Sequence, residues 1–394
     1  MTLSPSVKPE QFLPPGTAFM ARADLTETRL LGFKPINQDA VTTLFSGLLN
    51  GIPTVRHRAG VTDAILRTYA RAGLQVEEEL HAYDTQAEAE SLADALIDRG
   101  FRLCSAYPMT KGRFSDAAQL VRPDLWQRLN AKENLHQIVP ADNLLARRVI
   151  SLDEVSDAQL NSPIWLKAAG GQATGWGFAV RHCPDRESLT AALNDFRAMP
   201  GVTHIIAEAS ADIDHCWCVS LAINDDSTVF AGFAEQEFSS PGRQSGSVVD
   251  PEHPFPILGQ RLAIEIGNAA RALGFRGMAG LDIGQRADGR LVVFDPNFRF
   301  NSSTAQALFH VSATRRAGLG ASRSFHRLTS VDCESLIARS LHAIDAGWFV
   351  PTRILDGALL PAAGGKSMLT GFVLGADLAD TQRRADSLAA VLQS

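Results

Sequence analysis

The sequence predicts a protein of mixed α/β and α+β class, and three observations carry that expectation. Segments with helical periodicity at 62–72, 85–99 and 185–199 are each followed within a few residues by a short apolar run, the alternation from which α/β layers are built. A strand-like run ending at Lys167 opens into a glycine-rich segment. Late in the chain, an Asp-Gly dipeptide joins two strand-like runs, each carrying an aspartate. With 394 residues, 45% of them apolar, the chain has material for two or three compact domains.

Taken in order, the first two helical segments and the run FRLCSA at 101–106 make one αβ module, and the polar stretch at 111–122 marks its end. A first domain is therefore expected over 1–123. A helix beginning at Leu125 is expected to carry Lys132, and PIWLK at 163–167 to form a strand. The part 124–205 then forms a smaller lobe. In the remaining part, 206–394, strands are expected at 204–208, 217–223, 277–283 and 290–294, with a core helix over 259–273 and a closing strand-turn-helix over 368–391.

Composition excludes several function classes. Lys plus Arg number 37 against 43 Asp plus Glu, a net charge of −6, which speaks against a sequence-independent nucleic-acid binder or a polybasic membrane-surface protein. No run of 18 uncharged apolar residues occurs and the N-terminus has no signal-peptide pattern, so a cytoplasmic location is expected. The five cysteines are scattered without C-x-x-C spacing; Cys216 and Cys218 read as buried thiols on one strand face.

The strongest physical signal is GMAGLDIGQRADGRLVVFDPNFRFNSST at 277–304. If Asp288-Gly289 is a two-residue type I′ turn, cross-strand partners sum to 577 and Asp282 faces Asp295. Opposed carboxylates are about 5 Å apart at Cβ and repel unless a cation lies between them. Asn297, two residues on, shares the face. Three oxygen donors without His or Cys suit Mg²⁺, with Mn²⁺ as a substitute; the competing reading is a surface or turn-capping aspartate.

Lys167 leads into AAGGQATGWGF, where Gly171 and Gly175 flank Gln172 and Thr174. Glycines let backbone N–H groups turn toward an anion, and a lysine beside them adds a point charge. The Walker A spacing is absent, and an ordinary flexible turn is the alternative. The arginines of RRAGLGASRSFHR at 315–327 read as a basic loop, and His253 as a turn histidine satisfied locally.

An upstream lysine, a strand lysine before a glycine-rich loop, and a late acidic hairpin ending in acidic-x-Asn-x-Arg together resemble the ATP-grasp superfamily of carboxylate-activating ligases, over about 132–301. The resemblance implies an ATP-grasp fold of two lobes after an N-terminal αβ domain. It implies that Lys132 and Lys167 bind ATP, that the loop with Gly171, Gln172, Thr174 and Gly175 closes over the β- and γ-phosphates, and that Glu208 lies beside the adenine. Asp214 falls where a ribose-binding carboxylate is often found; both acids could equally be solvated. Arg299 looks like the arginine that grips a substrate carboxylate or acyl phosphate. Two departures are Asp295 where most members have Glu, and Gly280 where some D-alanine ligase-like members have arginine.

The activity so implied is ATP-dependent joining of a carboxylate to an amine through an acyl phosphate, releasing ADP and phosphate. Arg299 and Lys167 act in catalysis, with Mg²⁺ held by Asp282, Asp295 and Asn297. Amino acids are the expected substrates and specialised metabolism the expected setting, with neither nucleic acid nor membrane as partner and a homodimer as one possible assembly. The alternatives are a carboxylase-like or carbamoyl-transfer enzyme and a catalytically silent ATP-binding interaction protein.

Overall fold

The computed structural model describes residues 2–21, 47–76, 78–107, 109–169, 179–360 and 364–393. Among these, three sheets follow one another along the chain. The first is parallel, with strands β1 (Thr17–Met20), β2 (Thr54–His57), β3 (Leu80–Tyr83) and β4 (Arg102–Cys104) in the order β3-β2-β1-β4. Its helices α1 (Asp63–Arg71) and α2 (Gln86–Asp98) begin where Thr62 and Thr85 cap them. A hydroxyl that accepts from the first-turn N–H groups stops the helix from starting earlier.

Helix α3 (Pro123–Asn130) leads out of this domain. It does not carry Lys132 as expected. It ends at Asn130, and Lys132–Gln137 is a separate 3-10 turn. Ala131 between them is extended, which turns Lys132 into the cleft instead of onto the flank of a longer helix.

The second sheet is antiparallel: β5 (Arg147–Ser151), β6 (Ile164–Ala169), β7 (Val180–Cys183) and β8 (His204–Ala209), in the order β5-β8-β6-β7, with helix α4 (Arg186–Ala198) packed on it. Strand β8 straddles the expected 205/206 boundary; the change of sheet comes after Ala209.

The third sheet has eight strands: β9 (His215–Ile223), β10 (Thr228–Ser240), β11 (Arg243–Val249), β12 (Gly277–Gln285), β13 (Leu291–Asn297), β14 (Ala321–Thr329), β15 (Phe349–Leu355) and β16 (Ser367–Gly375), in the order β13-β12-β9-β10-β11-β14-β16-β15. Helices α5 (Ile257–Ala272), α6 (Thr304–Ala317), α7 (Cys333–Asp345) and α8 (Leu378–Val391) cover it. Trp217, Val219, Leu281 and Ile283 on one face form a core with Leu262 and Ile266 of α5, which leaves the alternating residues Cys218, Ser220 and Asp282 for the other face. The expected basic loop at 315–327 is instead the end of α6 and most of β14. Gly318 stops the helix in the left-handed conformation, and Arg323 pairs with Glu237.

The β12–β13 hairpin reaches the expected pairing by a different route. Arg286 N–H donates to Arg290 C=O, so the loop is the three residues 287–289 with Gly289 at φ +82°, a turn followed by a left-handed glycine rather than the expected two-residue turn. This gives Ile283↔Val293 and Gln285↔Leu291, one residue out of the expected register. An extra residue, Phe294, then bulges from β13 and restores it, so that Asp282 pairs with Asp295 and Gly280 with Asn297.

Candidate active site

The opposed carboxylates are held by three elements. Asp282 accepts from Gln236 Nε2 of β10 at 2.9 Å and pairs on its other side with Cys218 of β9. Asp295 takes the Lys132 ammonium on Oδ2, while its Oδ1 is buried with no partner among the described residues. Burial, and then the charge of Asp295, push the Asp282 carboxyl up to about 7. Two carboxylates this close and this dry do not both ionise unless positive charge joins them. Burial, and then Asp282, also raise the Cys216 and Cys218 thiols well above their ordinary value, so neither is a ready nucleophile.

Beyond the pair, Asn297 Oδ1 accepts from Arg299 Nη1. Arg299 also reaches Asn130 Oδ1 at 3.5 Å and the Tyr107 hydroxyl at 3.3 Å, with its guanidinium 5.4 Å from the centre of the Tyr107 ring. Tyr107 comes from the N-terminal domain, three residues past β4, so that domain contributes to the cleft. Gly280 has a packing reason: a Cβ there would overlap Asn301 Nδ2. Asn301 Oδ1 is fixed by Ser303 N and Oγ and by Thr304 Oγ1 at 2.9–3.1 Å.

Opposite stands a second charged group. Lys167 Nζ donates to Glu208 Oε1 at 2.5 Å and approaches the carbonyl of the bulged Phe294 at 3.4 Å. Arg147 donates to Glu208 Oε2. Burial lowers the Lys167 pKa and the Glu208 charge opposes that fall.

Lys132, Lys167, Glu208, Asp282, Asp295, Asn297 and Arg299 therefore line one cleft between the small sheet and the β12–β13 hairpin. Asp214 does not join them; it is exposed in the β8–β9 connection, its backbone N–H on Gln285 O. Gly171, Gln172, Thr174 and Gly175 lie outside the described residues. Sequence reading missed Arg147, Gln236 and Tyr107. None belongs to a motif, and only the pairing of distant strands brings them in.

The donor set suits a hard cation. Among the described residues no three His, Cys, Asp or Glu side chains cluster as a metal cage, but two carboxylates, one with an unpartnered buried oxygen, and an amide oxygen leave room for water and phosphate ligands.

A small αβ domain, a four-stranded sheet and a large sheet whose acidic hairpin faces buried lysines make up this architecture, and the chain belongs to the ATP-grasp superfamily of carboxylate-amine ligases. It is an ATP-dependent, amide-forming enzyme. More particularly, the family model "L-aspartate--L-methionine ligase N-terminal domain" matches residues 8–127, and "L-aspartate--L-methionine ligase, ATP grasp" matches residues 146–297. Similar solved structures include N5-carboxyaminoimidazole synthetase from Staphylococcus aureus complexed with ADP, 15% identical, covering 99% of this chain and 99% of that one at a TM-score of 0.53. An L-amino acid ligase from Bacillus licheniformis is 12% identical over 95% of this chain and 96% of that one, with a TM-score of 0.51. At such identities the likeness establishes the fold. Among the described residues no helix is long and apolar enough to cross a membrane.

Proposed function

We propose that this ligase joins the carboxylate of L-aspartate to the amine of L-methionine. The substrate pair is suggested by the two family models, which bear that name over both the N-terminal domain and the grasp module. The observation that carries the chemistry is the facing of Asp282 and Asp295 in one hairpin, with Lys132 on the latter and Lys167 across the cleft.

In this reading Lys132 and Lys167 hold the ATP phosphates, and the segment with Gly171, Gln172, Thr174 and Gly175 covers them, an assignment resting on sequence alone. Asp282, Asp295 and Asn297 hold Mg²⁺, which when bound neutralises phosphate charge. Both Glu208 oxygens are occupied by cations, so its role is that of counter-ion to the phosphate-binding groups rather than adenine ligand. Arg299 grips the aspartate carboxylate with its planar fork before phosphorylation and the acyl phosphate after it. The methionine amine then attacks the acyl carbon and phosphate leaves. Water must be kept out while the acyl phosphate exists, and Tyr107 and Asn130 are the neighbours that hold Arg299 on that side.

The test is ADP release with the two amino acids together and singly, with product masses recorded. Release that needs both, with an aspartyl-methionine mass, is expected. Release driven by bicarbonate, or by another acid and amine but not by this pair, would overturn the substrate assignment.

A further inference from the structure

Arg147 opens β5 and pairs in register with Glu208. Its side chain is only 11% exposed. Nη2 donates to Glu208 Oε2, and Nη1 donates to the backbone carbonyl of Lys132 at 3.0 Å. Nε is buried and has no partner among the described residues. Glu208, with its side chain 2% exposed, gives its remaining oxygen to Lys167. One buried carboxylate thus serves two cations, one on each oxygen.

Phosphates arriving at Lys167 compete with Glu208 for the ammonium. A buried carboxylate that loses its cation is strongly unfavourable, so Glu208 would hold Lys167 back unless another group took its charge. Arg147 is built for that. On a guanidinium, Nε–H and Nη2–H form one edge, matched in spacing to the two oxygens of a carboxylate. Here Nη2 already sits on Oε2 and Nε is the idle half of the same edge. The bond from Nη1 to the Lys132 carbonyl keeps the guanidinium in place.

We propose that Arg147 is a positioning residue that takes over Glu208 when Lys167 turns to the phosphates of ATP, a counter-ion relay within the small sheet. The proposal rests on the reading of Lys167 as a phosphate ligand.

Calorimetric titration of ATP with Mg²⁺ into the wild type, Arg147→Met, Glu208→Gln, the double variant and Lys167→Ala tests it. In the wild-type background Arg147→Met should weaken ATP binding by at least about tenfold, whereas beside Glu208→Gln, where no charge needs a new partner, it should cost less than about threefold. An equal loss in both backgrounds, or no loss in either, overturns the relay. Should Arg147→Met alone fail to fold, the double variant against Glu208→Gln decides, and a gap of about tenfold or more overturns it. Normal affinity in Lys167→Ala instead overturns the reading on which the relay stands. A weakened Lys167→Ala beside an unaffected Arg147→Met overturns the relay alone.

Discussion

At Asp282 burial and the neighbouring Asp295 charge favour the protonated carboxyl, which a cation in the proposed metal site would displace. In the folded chain this carboxyl titrates at about 7, because of burial first and the Asp295 charge second. In the unfolded chain it titrates near the ordinary value of about 3.9. Between those values the folded state binds the extra proton, so this group's contribution to stability falls as pH rises through the window and is constant above it. Asp282→Asn removes that loss. Without divalent cations, the melting temperature of Asp282→Asn minus that of the wild type should grow from pH 4 to 7 and then level off; a gap independent of pH would contradict it. Turnover in Asp282→Asn or Asp295→Asn should fall by at least about 100-fold, since each removes one charge from the proposed metal site. Arg299 belongs to the same scale. Arg299→Lys keeps the charge but cannot reach Asn297, Asn130 and Tyr107 together, so kcat should drop by about 100-fold with ATP binding largely kept. A rise in KM for ATP alone, with wild-type kcat, would reassign this arginine to the nucleotide.

At the scale of elements, the bulge at Phe294 has a specific use. The three-residue loop and the bulge each shift the hairpin by one residue in opposite senses, so a hairpin lacking Phe294 would still set Asp282 against Asp295. What it would lose is the Phe294 carbonyl and ring near Lys167. Deletion of Phe294 should therefore leave Mg²⁺-dependent ADP release in place while raising KM for ATP roughly tenfold, the scale of one hydrogen bond to a charged group. Loss of all turnover, as for Asp295→Asn, would mean that the bulge sets the register after all. The same hairpin shows what sequence can reveal. The facing of Asp282 and Asp295 was legible because the two departures cancel, and an Asp-Gly pair between alternating runs pins the hairpin to within one residue. The helices at 62–72, 85–99 and 185–199 were legible through their helical periodicity, and in the structure Thr62, Thr85 and Asp185 cap them. The long strand β10 was not, because Glu235, Gln236 and Glu237 follow one another, place polar side chains on both faces and blur the alternation. Arg147 reads as one of two adjacent surface arginines until β8 places Glu208 beside it.

Across the whole molecule, the N-terminal domain and the distal half of the large sheet share one core, in which Phe12, Phe19, Ile65 and Tyr69 pack with Phe309, Leu336, Phe349 and Leu369. Backbone and side-chain bonds reinforce it: Ser6 N–H reaches Leu308 C=O at 2.9 Å, and Ile354 N–H reaches the Tyr69 hydroxyl at 2.7 Å. This joint bears on the cleft at two places. Phe300, directly after Arg299, sets its ring edge-on to Phe12 and Phe19 at 5.9 and 6.1 Å, and Tyr107 of the same domain meets Arg299 itself. The N-terminal domain therefore anchors the strand exit that presents the arginine. Phe300→Ala should cost about 3 to 5 kcal/mol of stability, as for other buried aromatic truncations, and should lower kcat at temperatures where the chain remains folded, because Arg299 loses the anchor beside it. A fragment lacking residues 1–121 would expose the apolar face that Phe309, Leu336 and Phe349 now bury, so it should associate or fail to unfold cooperatively. Denaturant unfolding and size-exclusion chromatography of the two variants measure this directly. A monomeric, cooperatively folded fragment, or a Phe300→Ala enzyme with unchanged stability and kcat, would show that the grasp module needs nothing from the domain before it.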